Sequence, residues 1–249
     1  MVRRRYLLIS DIHSNEEALS AVLRAVSRKK YDSVLCLGDV VGYGGSPNQV
    51  IRRIQKIKNL KIIRGNHDKA VIDSSLMANF NNSAKVAVKW TMSTLTKENL
   101  NYLKSIPKGP LEIEKGVIVC HGSPIDEDYY LFSEFDAYQV FEAFNFDVCF
   151  FGHTHYPCMF ALTEKGVVFR HLREDYYEEI LKKGVRYLIN PGSVGQPRDR
   201  IPQSAFGEYY PETRKFVFRR VEYDIEKAKR RILKENLPES LANRLEIGS

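Results

Sequence analysis

Five short apolar runs in this 249-residue chain each end in side chains of metal-ligand type: Asp11 with His13, Asp39, Asn66 with His67 and Asp68, His121, and His153 with His155. Singly none carries an argument, since an Asp in a turn is a turn former and a lone histidine after a strand is usually a core or surface residue. Together they do, because ligands of open α/β sheets bind at the carboxyl ends of the strands, where clusters distant in sequence converge on one rim. The donors are imidazoles, carboxylates and one amide oxygen, with no thiolate. That chemistry suits Mn, Fe, Zn, Co or Ni rather than a cysteine-bound structural zinc, with Mn favoured. Asp11, His13, Asp39, Asn66, His121, His153 and His155 are too many for one ion with an open position, and about right for two ions sharing a carboxylate. Two divalent cations roughly 3.5 to 4 Å apart can hold a hydroxide between them and clamp the attacking and leaving oxygens of an in-line displacement at phosphorus. Phosphoester hydrolysis is the reaction this set would serve.

The elements that must position these side chains are legible in outline. β-branched apolar runs at 6–9, 33–37, 60–63, 117–120, 148–151 and 185–189 have the length of buried strands. Residues 15–29 place Ala18, Leu19, Val22, Leu23 and Val26 on one helical face, with Asn15 as N-cap and Glu16 and Glu17 in the first turn. A second amphipathic stretch carries Val50, Ile51, Ile54 and Ile57, so the chain opens βαβαβ and an α/β sheet follows. Lys115–Gly116, Lys165–Gly166 and Pro211–Thr213 separate strand-like pairs and predict three hairpins in the second half. Residues 224–246 predict a closing helix broken near Pro238. No linker or repeat interrupts the chain, which predicts a single domain over 1–249, with a motif-bearing core at 6–200 and closing strands and helix at 205–246.

Composition excludes several classes. Gly 15 and Pro 10 with 43% apolar residues rule out disorder and collagen. No apolar run approaches the roughly 20 residues of a membrane span. Arg3, Arg4 and Arg5 before Tyr6–Ile9 imitate a signal peptide, but the run stops at Ser10 and Asp11, so a basic tail before a first strand is expected. Cys36, Cys120, Cys149 and Cys158 show no C-x-x-C spacing and predict free thiols and a cytoplasmic location. The net charge of +7 draws on Arg52, Arg53, Lys56 and Lys58, a solvated helix face without the interleaved aromatics of a single-strand binder.

The segments SDIHSN (10–15), LGDVVGYG (37–44), RGNHD (64–68), CHG (120–122) and FGHTH (151–155) resemble the five ordered motifs of the calcineurin-like metallophosphoesterases. NPGSVG (190–195) is similar to the closing motif of their small bacterial and archaeal phosphodiesterase branch. The resemblance implies a four-layer α/β/β/α sandwich of two mixed sheets flanked by helices. It implies one metal held by Asp11, His13, Asp39 and His155, and a second held by Asp39, Asn66, His121 and His153, with Asp39 bridging. His67 would not be a ligand; it would stabilise charge near the scissile phosphate or protonate the leaving oxygen, with Asp68 orienting it and raising its pKa. Protein phosphatases and diadenosine tetraphosphate hydrolases of the superfamily carry a GDxVDRG-like second motif whose Arg contacts phosphate. Val41, Gly42 and Tyr43 stand there instead, which speaks against both activities and for a small phosphodiester or nucleotide substrate.

Two further stretches bear on substrate. The loop at 190–200 offers backbone N–H groups and Arg198 to an anion. Residues 126–147 hold seven acids and no bases, with Ala137, Val140, Phe141 and Phe144 on a core-facing helix; Tyr129 and Tyr130 fall outside that face, where they would border the pocket and stack on a nucleobase. Two other functions remain open: a non-catalytic interaction scaffold on the same fold, which would be free to lose ligands that this chain keeps, and a nuclease or nucleic-acid binder. The sequence is equally compatible with a monomer and a homo-oligomer.

Overall fold

The computed structural model describes residues 4–249; of the expected basic tail, Arg3 lies outside the described residues. The opening βαβαβ unit is β1 (Tyr6–Ile9), α1 (Glu16–Ala25), β2 (Ser33–Cys36), α2 (Pro47–Ile54) and β3 (Leu60–Ile62). Asn15 caps α1 by accepting the Ala18 N–H at 3.1 Å. Three helices follow, α3 (Asn66–Ile72), α4 (Asn82–Thr94) and α5 (Lys97–Ser105). The second half runs β4 (Leu111–Glu114), β5 (Val117–Val119), α6 (Glu134–Ala143), β6 (Val148–Phe150), β7 (Cys158–Thr163), β8 (Gly166–His171), β9 (Tyr176–Ile180), β10 (Arg186–Asn190), β11 (Ser204–Tyr210) and β12 (Lys215–Val221). The chain closes with α7 (Ile225–Lys234) and α8 (Glu239–Ile247), divided at Pro238.

Two six-stranded mixed sheets result, ordered β3-β2-β1-β11-β12-β9 and β4-β5-β6-β10-β7-β8. The three expected hairpins are β4-β5, β7-β8 and β11-β12. Strand alternation assigns each face. In β1, Leu7 and Ile9 join the core under α1 to α5, while Tyr6 and Leu8 meet Phe150, Ile189 and Phe216 between the sheets. The second sheet turns Cys149, Phe160 and Leu188 toward Val140 and Phe141 of α6. This is the four-layer α/β/β/α sandwich. A fourth apolar cluster joins α4, α7 and α8 around Tyr43. No helix among the described residues is long and apolar enough to cross a membrane, and all four cysteines are buried free thiols.

β1 and β2 run parallel in one sheet and β5, β6 and β10 in the other, so within each sheet these carboxyl ends share an edge, and the ligand groups that follow them in the two sheets come together. The loops leaving those ends build the site.

Candidate metal centre

Each ligand loop is short and sharply bent. Asp11 (φ 53°), His13 (48°), Asp39 (52°), His153 (65°) and His155 (59°) all occupy the left-handed region, which costs about 1–2 kcal/mol for a residue with a Cβ. A surrounding hydrogen-bond lattice holds these bends. The Asp11 and His13 amides donate to the Gly38 and Asp39 carbonyls at 3.1 and 2.9 Å, and Gly195 N–H donates to the Asp11 carbonyl at 2.9 Å. Gly65 has no alternative residue: a Cβ there would stand 2.1 Å from Asp39 Oδ1.

Asp11, His13, Asp39 and His155 each bring one ligand atom to within 4.8 Å of the others, and so do Asp39, His121 and His153; Asp39 belongs to both groups. All are buried. Asp39 Oδ1 accepts the His67 amide at 2.8 Å, leaving Oδ2 to face His13 Nε2 at 3.5 Å and His121 Nε2 at 3.4 Å. Asn66 brings Oδ1 to 3.1 Å from His121 Nε2.

The proton inventory tests whether these groups fit cations. A carbonyl oxygen only accepts, so His13 Nδ1, His155 Nδ1 and His121 Nδ1 carry protons donated to Val41, Gln196 and Leu37 at 3.1, 2.5 and 2.8 Å. The Nε2 lone pairs of neutral His13 and His155 therefore point inward, whereas His121 Nε2, facing Asp39 Oδ2 and Asn66 Oδ1, holds a proton that a metal would replace. His13 Nε2 and His155 Nε2 meet at 3.0 Å, and His155 Nε2 lies 3.5 Å from Asp11 Oδ1. Around His13, His155 and Asp11 acceptors face acceptors, an arrangement that a bound cation relieves, and the outer nitrogens are fixed by the carbonyl bonds typical of ligating histidines. His153 gives Nε2 to the Asp128 carbonyl at 3.1 Å, which leaves Nδ1 for the centre.

The electrostatics divide the centre in two. Burial holds His13, His155 and His153 well below the ordinary histidine value, so their rings are neutral. Burial acts the same way on His121, but the Asp39 carboxylate overrides it and lifts His121 to about 10. Burial would raise Asp39, yet the facing imidazoles of His121 and His67 keep it well below the carboxylate range. Burial pushes Asp11 up to about 6, with Asp39 adding to the rise and a charged His121 opposing it.

Several expected roles are corrected. Asp68 does not orient the His67 ring: its Oδ1 accepts Val41 N–H at 3.1 Å and its Oδ2 accepts Gly65 N–H at 3.0 Å, so it braces the backbone of two ligand loops. His67 is accordingly not raised; burial lowers it to about 4. Its ring packs between Tyr43 and Phe80, with Nδ1 buried and unpartnered. The 190–195 loop is no free anion cradle. Its Gly192, Val194 and Gly195 amides are spent on Asn190 Oδ1, the Ser10 carbonyl and the Asp11 carbonyl. Asn190 Nδ2 ties Gly152 O and Thr154 Oγ1, and Ser193 Oγ bonds Asp11 O, so the loop clamps the ligand turns. Arg198 donates to Tyr43 Oη and Gln196 Oε1 at 3.2 Å each, beside the His13 and His67 rings that pack on Tyr43. Tyr130 lies on His153, ring centroids 3.9 Å apart, whereas Tyr129 turns away to donate to Asp136 at 2.9 Å. Arg64 is occupied by Glu127. Tyr43 and Phe80 had no assigned role; Tyr43 stood within a motif, but nothing in the sequence marks Phe80.

Residues 4–157 match the Metallophos family, the calcineurin-like phosphoesterases. The chain belongs to that family. This calcineurin-like phosphoesterase is 40% identical to an uncharacterized protein of Methanocaldococcus jannaschii over the full length of both chains. It superposes with TM-score 0.88 on a metallophosphoesterase from Sphaerobacter thermophilus, at 36% identity and covering 99% of this chain and 100% of that one. A hypothetical protein from Pyrococcus horikoshii OT3 shares the fold at TM-score 0.81 and 23% identity, with 98% of each chain covered. As a member of a family of divalent-metal phosphoester hydrolases, this phosphoesterase carries Asp and His groups suited to metal.

Proposed function

We propose that the protein is a dinuclear phosphodiesterase, with Asp11, His13, Asp39 and His155 holding one divalent cation and Asp39, Asn66, His121 and His153 the other. The observation that carries this reading is the pair of inward-facing acceptor groups sharing Asp39. Bound there, two cations would supply Lewis acidity at phosphorus and a water acidified for attack at neutral pH. The protein's own residues do the rest. Outer bonds from His13, His121 and His155 to backbone carbonyls fix each ligand ring before substrate arrives. His67, held neutral by burial, offers an N–H hydrogen bond to charge developing on phosphoryl or leaving oxygen, rather than a transferable proton.

The diester preference follows from the cationic side chains within reach. A monoester carries close to two negative charges and a diester one, so a monoesterase gains more from added arginine clamps. Where related monoesterases place an Arg after the bridging Asp, this chain has Val41, Gly42 and Tyr43; Arg64 is paired with Glu127, and Arg198 donates to Tyr43. With Mn loaded, kcat/KM for bis(p-nitrophenyl) phosphate is expected to exceed that for p-nitrophenyl phosphate, and the order to hold in a nucleotide pair of matched leaving group. Equal or greater efficiency on the monoester in both pairs would reject the diester assignment and leave the metal centre standing.

A further inference from the structure

From His153 an aromatic ladder runs outward over the surface. The Tyr130 ring sits 3.9 Å from the His153 ring, and Phe132 lies 5.5 Å beyond Tyr130 with an interplanar angle of 5°. Large aromatic faces at a surface ordinarily bury themselves, yet Tyr130 is 46% and Phe132 57% exposed. The rings are also held in place. Asp136 accepts the Phe132 and Ser133 amides and the Tyr129 hydroxyl, and the Asp128 carbonyl is tied to His153 Nε2. Both ends of the 128–133 segment are thereby anchored, one of them to a side chain of the centre itself. A segment pinned in this way presents its rings without the ordering cost that a mobile loop would incur on binding.

We infer that the Tyr130–Phe132 ladder is a stacking platform for a planar aromatic part of the substrate, an aryl group bonded to the ester oxygen or a nucleobase carried on the esterified sugar, with the phosphate held at the centre. This rests on the phosphoesterase reading of the site and names the substrate class that reading leaves open. Stacking is the chemistry offered. A ring face stacks on any base alike, so the platform distinguishes aromatic from aliphatic substituents and is tolerant among bases. The continuity of the rings with His153 favours a substrate group over an unrelated protein partner.

The test compares Mn-loaded wild type, Phe132→Leu and Phe132→Trp for binding of AMP, phenyl phosphate, ribose 5-phosphate and inorganic phosphate by calorimetry. Phe132 is more than half exposed, so neither substitution threatens folding. AMP or phenyl phosphate is expected to bind about tenfold or more tightly than ribose 5-phosphate, the scale of one base–aromatic stack. Phe132→Leu should erase most of that gain while leaving ribose 5-phosphate and phosphate unchanged, and Phe132→Trp should keep it. A gain for AMP alone assigns the platform to nucleobases, and one for phenyl phosphate alone assigns it to aryl esters. If ribose 5-phosphate binds as tightly as both aromatic compounds, or Phe132→Leu weakens all four equally, the platform is overturned and the phosphate site survives. If none of the four binds, the phosphate-site reading falls and the platform with it.

Discussion

Two clusters of buried charge in this molecule solve the same problem in opposite ways. On β11, Glu208 has no exposed side-chain surface and is met by donors on every side: Lys29 Nζ at 2.5 Å, Tyr210 Oη at 2.9 Å, Arg219 Nε at 3.2 Å and Arg5 Nε at 4.0 Å. At the strand ends, Asp11 and Asp39 are as deeply buried, but their donors are single backbone amides and the His121 imidazole, and their inner oxygens also face the His155 and His13 lone pairs. A carboxylate surrounded by donors is complete within the protein. One that faces imidazole lone pairs with few donors has room for a cation, and the five left-handed residues of these loops show that the chain accepts backbone strain to build that second arrangement.

Removing the shared acid breaks the comparison most severely. Asp39→Asn takes a charge from both ligand groups at once, so metal analysis after chelation and reloading should fall from about two ions per chain toward none, with turnover down by about 1,000-fold or more. A wild-type content saturating near one ion would sink the dinuclear account. Next in size is His67→Ala, which removes a hydrogen-bond donor but no ligand. Metal content should hold while kcat drops by about 100-fold; loss of metal instead would place His67 among the ligands.

A pH titration sharpens the contrast within the centre itself. His13 and His155 are already neutral, whereas His121, raised to about 10 by Asp39, carries a proton that a cation must displace. The sign follows directly: a group protonated below about 10 releases one proton on metal binding, so apparent affinity at that group rises about tenfold per pH unit from 7 to 9. The His13–His155 group should stay nearly flat over the same interval. Calorimetry of the metal-free protein in buffers of different ionisation enthalpy would count the released proton, and two equally steep sites would refute the division.

What the sequence made legible follows from where information is local. Ligand residues sat at the ends of β-branched runs, so their convergence could be argued from strand polarity before any contact was known. The Asn15 cap and the break at Pro238 were readable for the same reason. α4 was not foreseen because its buried face is Ala84, Ala87, Val88 and Thr91, too small and polar to give a clear helical period. β9, with Glu178 and Glu179 on an edge strand, hides behind its charge. Asp68 was misread since its sequence neighbour is His67, while its partners Val41 and Gly65 became visible only once the loops had folded. Side-chain direction across loops is a tertiary property, and adjacency in sequence is a poor guide to it.

The smallest effect is expected at the donor-rich cluster, and it is one of stability alone. Glu208→Gln leaves Lys29, Arg219 and Arg5 without their carboxylate, but their long side chains reach partly into water, so the cost should be about 2 kcal/mol, below the 3–5 of a fully buried broken pair. The Glu208 pKa is affected first by burial, which would raise it, and then by hydrogen bonds from Lys29 and Tyr210, which prevail and leave it below the ordinary glutamate value. A carboxylate depressed on folding contributes its full stabilisation above its unfolded value of about 4.3 and loses it as pH falls through the folded one. Urea unfolding of the metal-free protein should therefore show the deficit of Glu208→Gln at pH 7 and pH 5, and a narrowing gap to wild type below about pH 4. Metal content and phosphoesterase turnover should be unchanged, because the cluster meets its charge internally and shares no residue with the centre. A deficit that persisted undiminished into acid would mean that shape rather than charge holds Glu208 in place, and the contrast between the two clusters would lose its electrostatic basis.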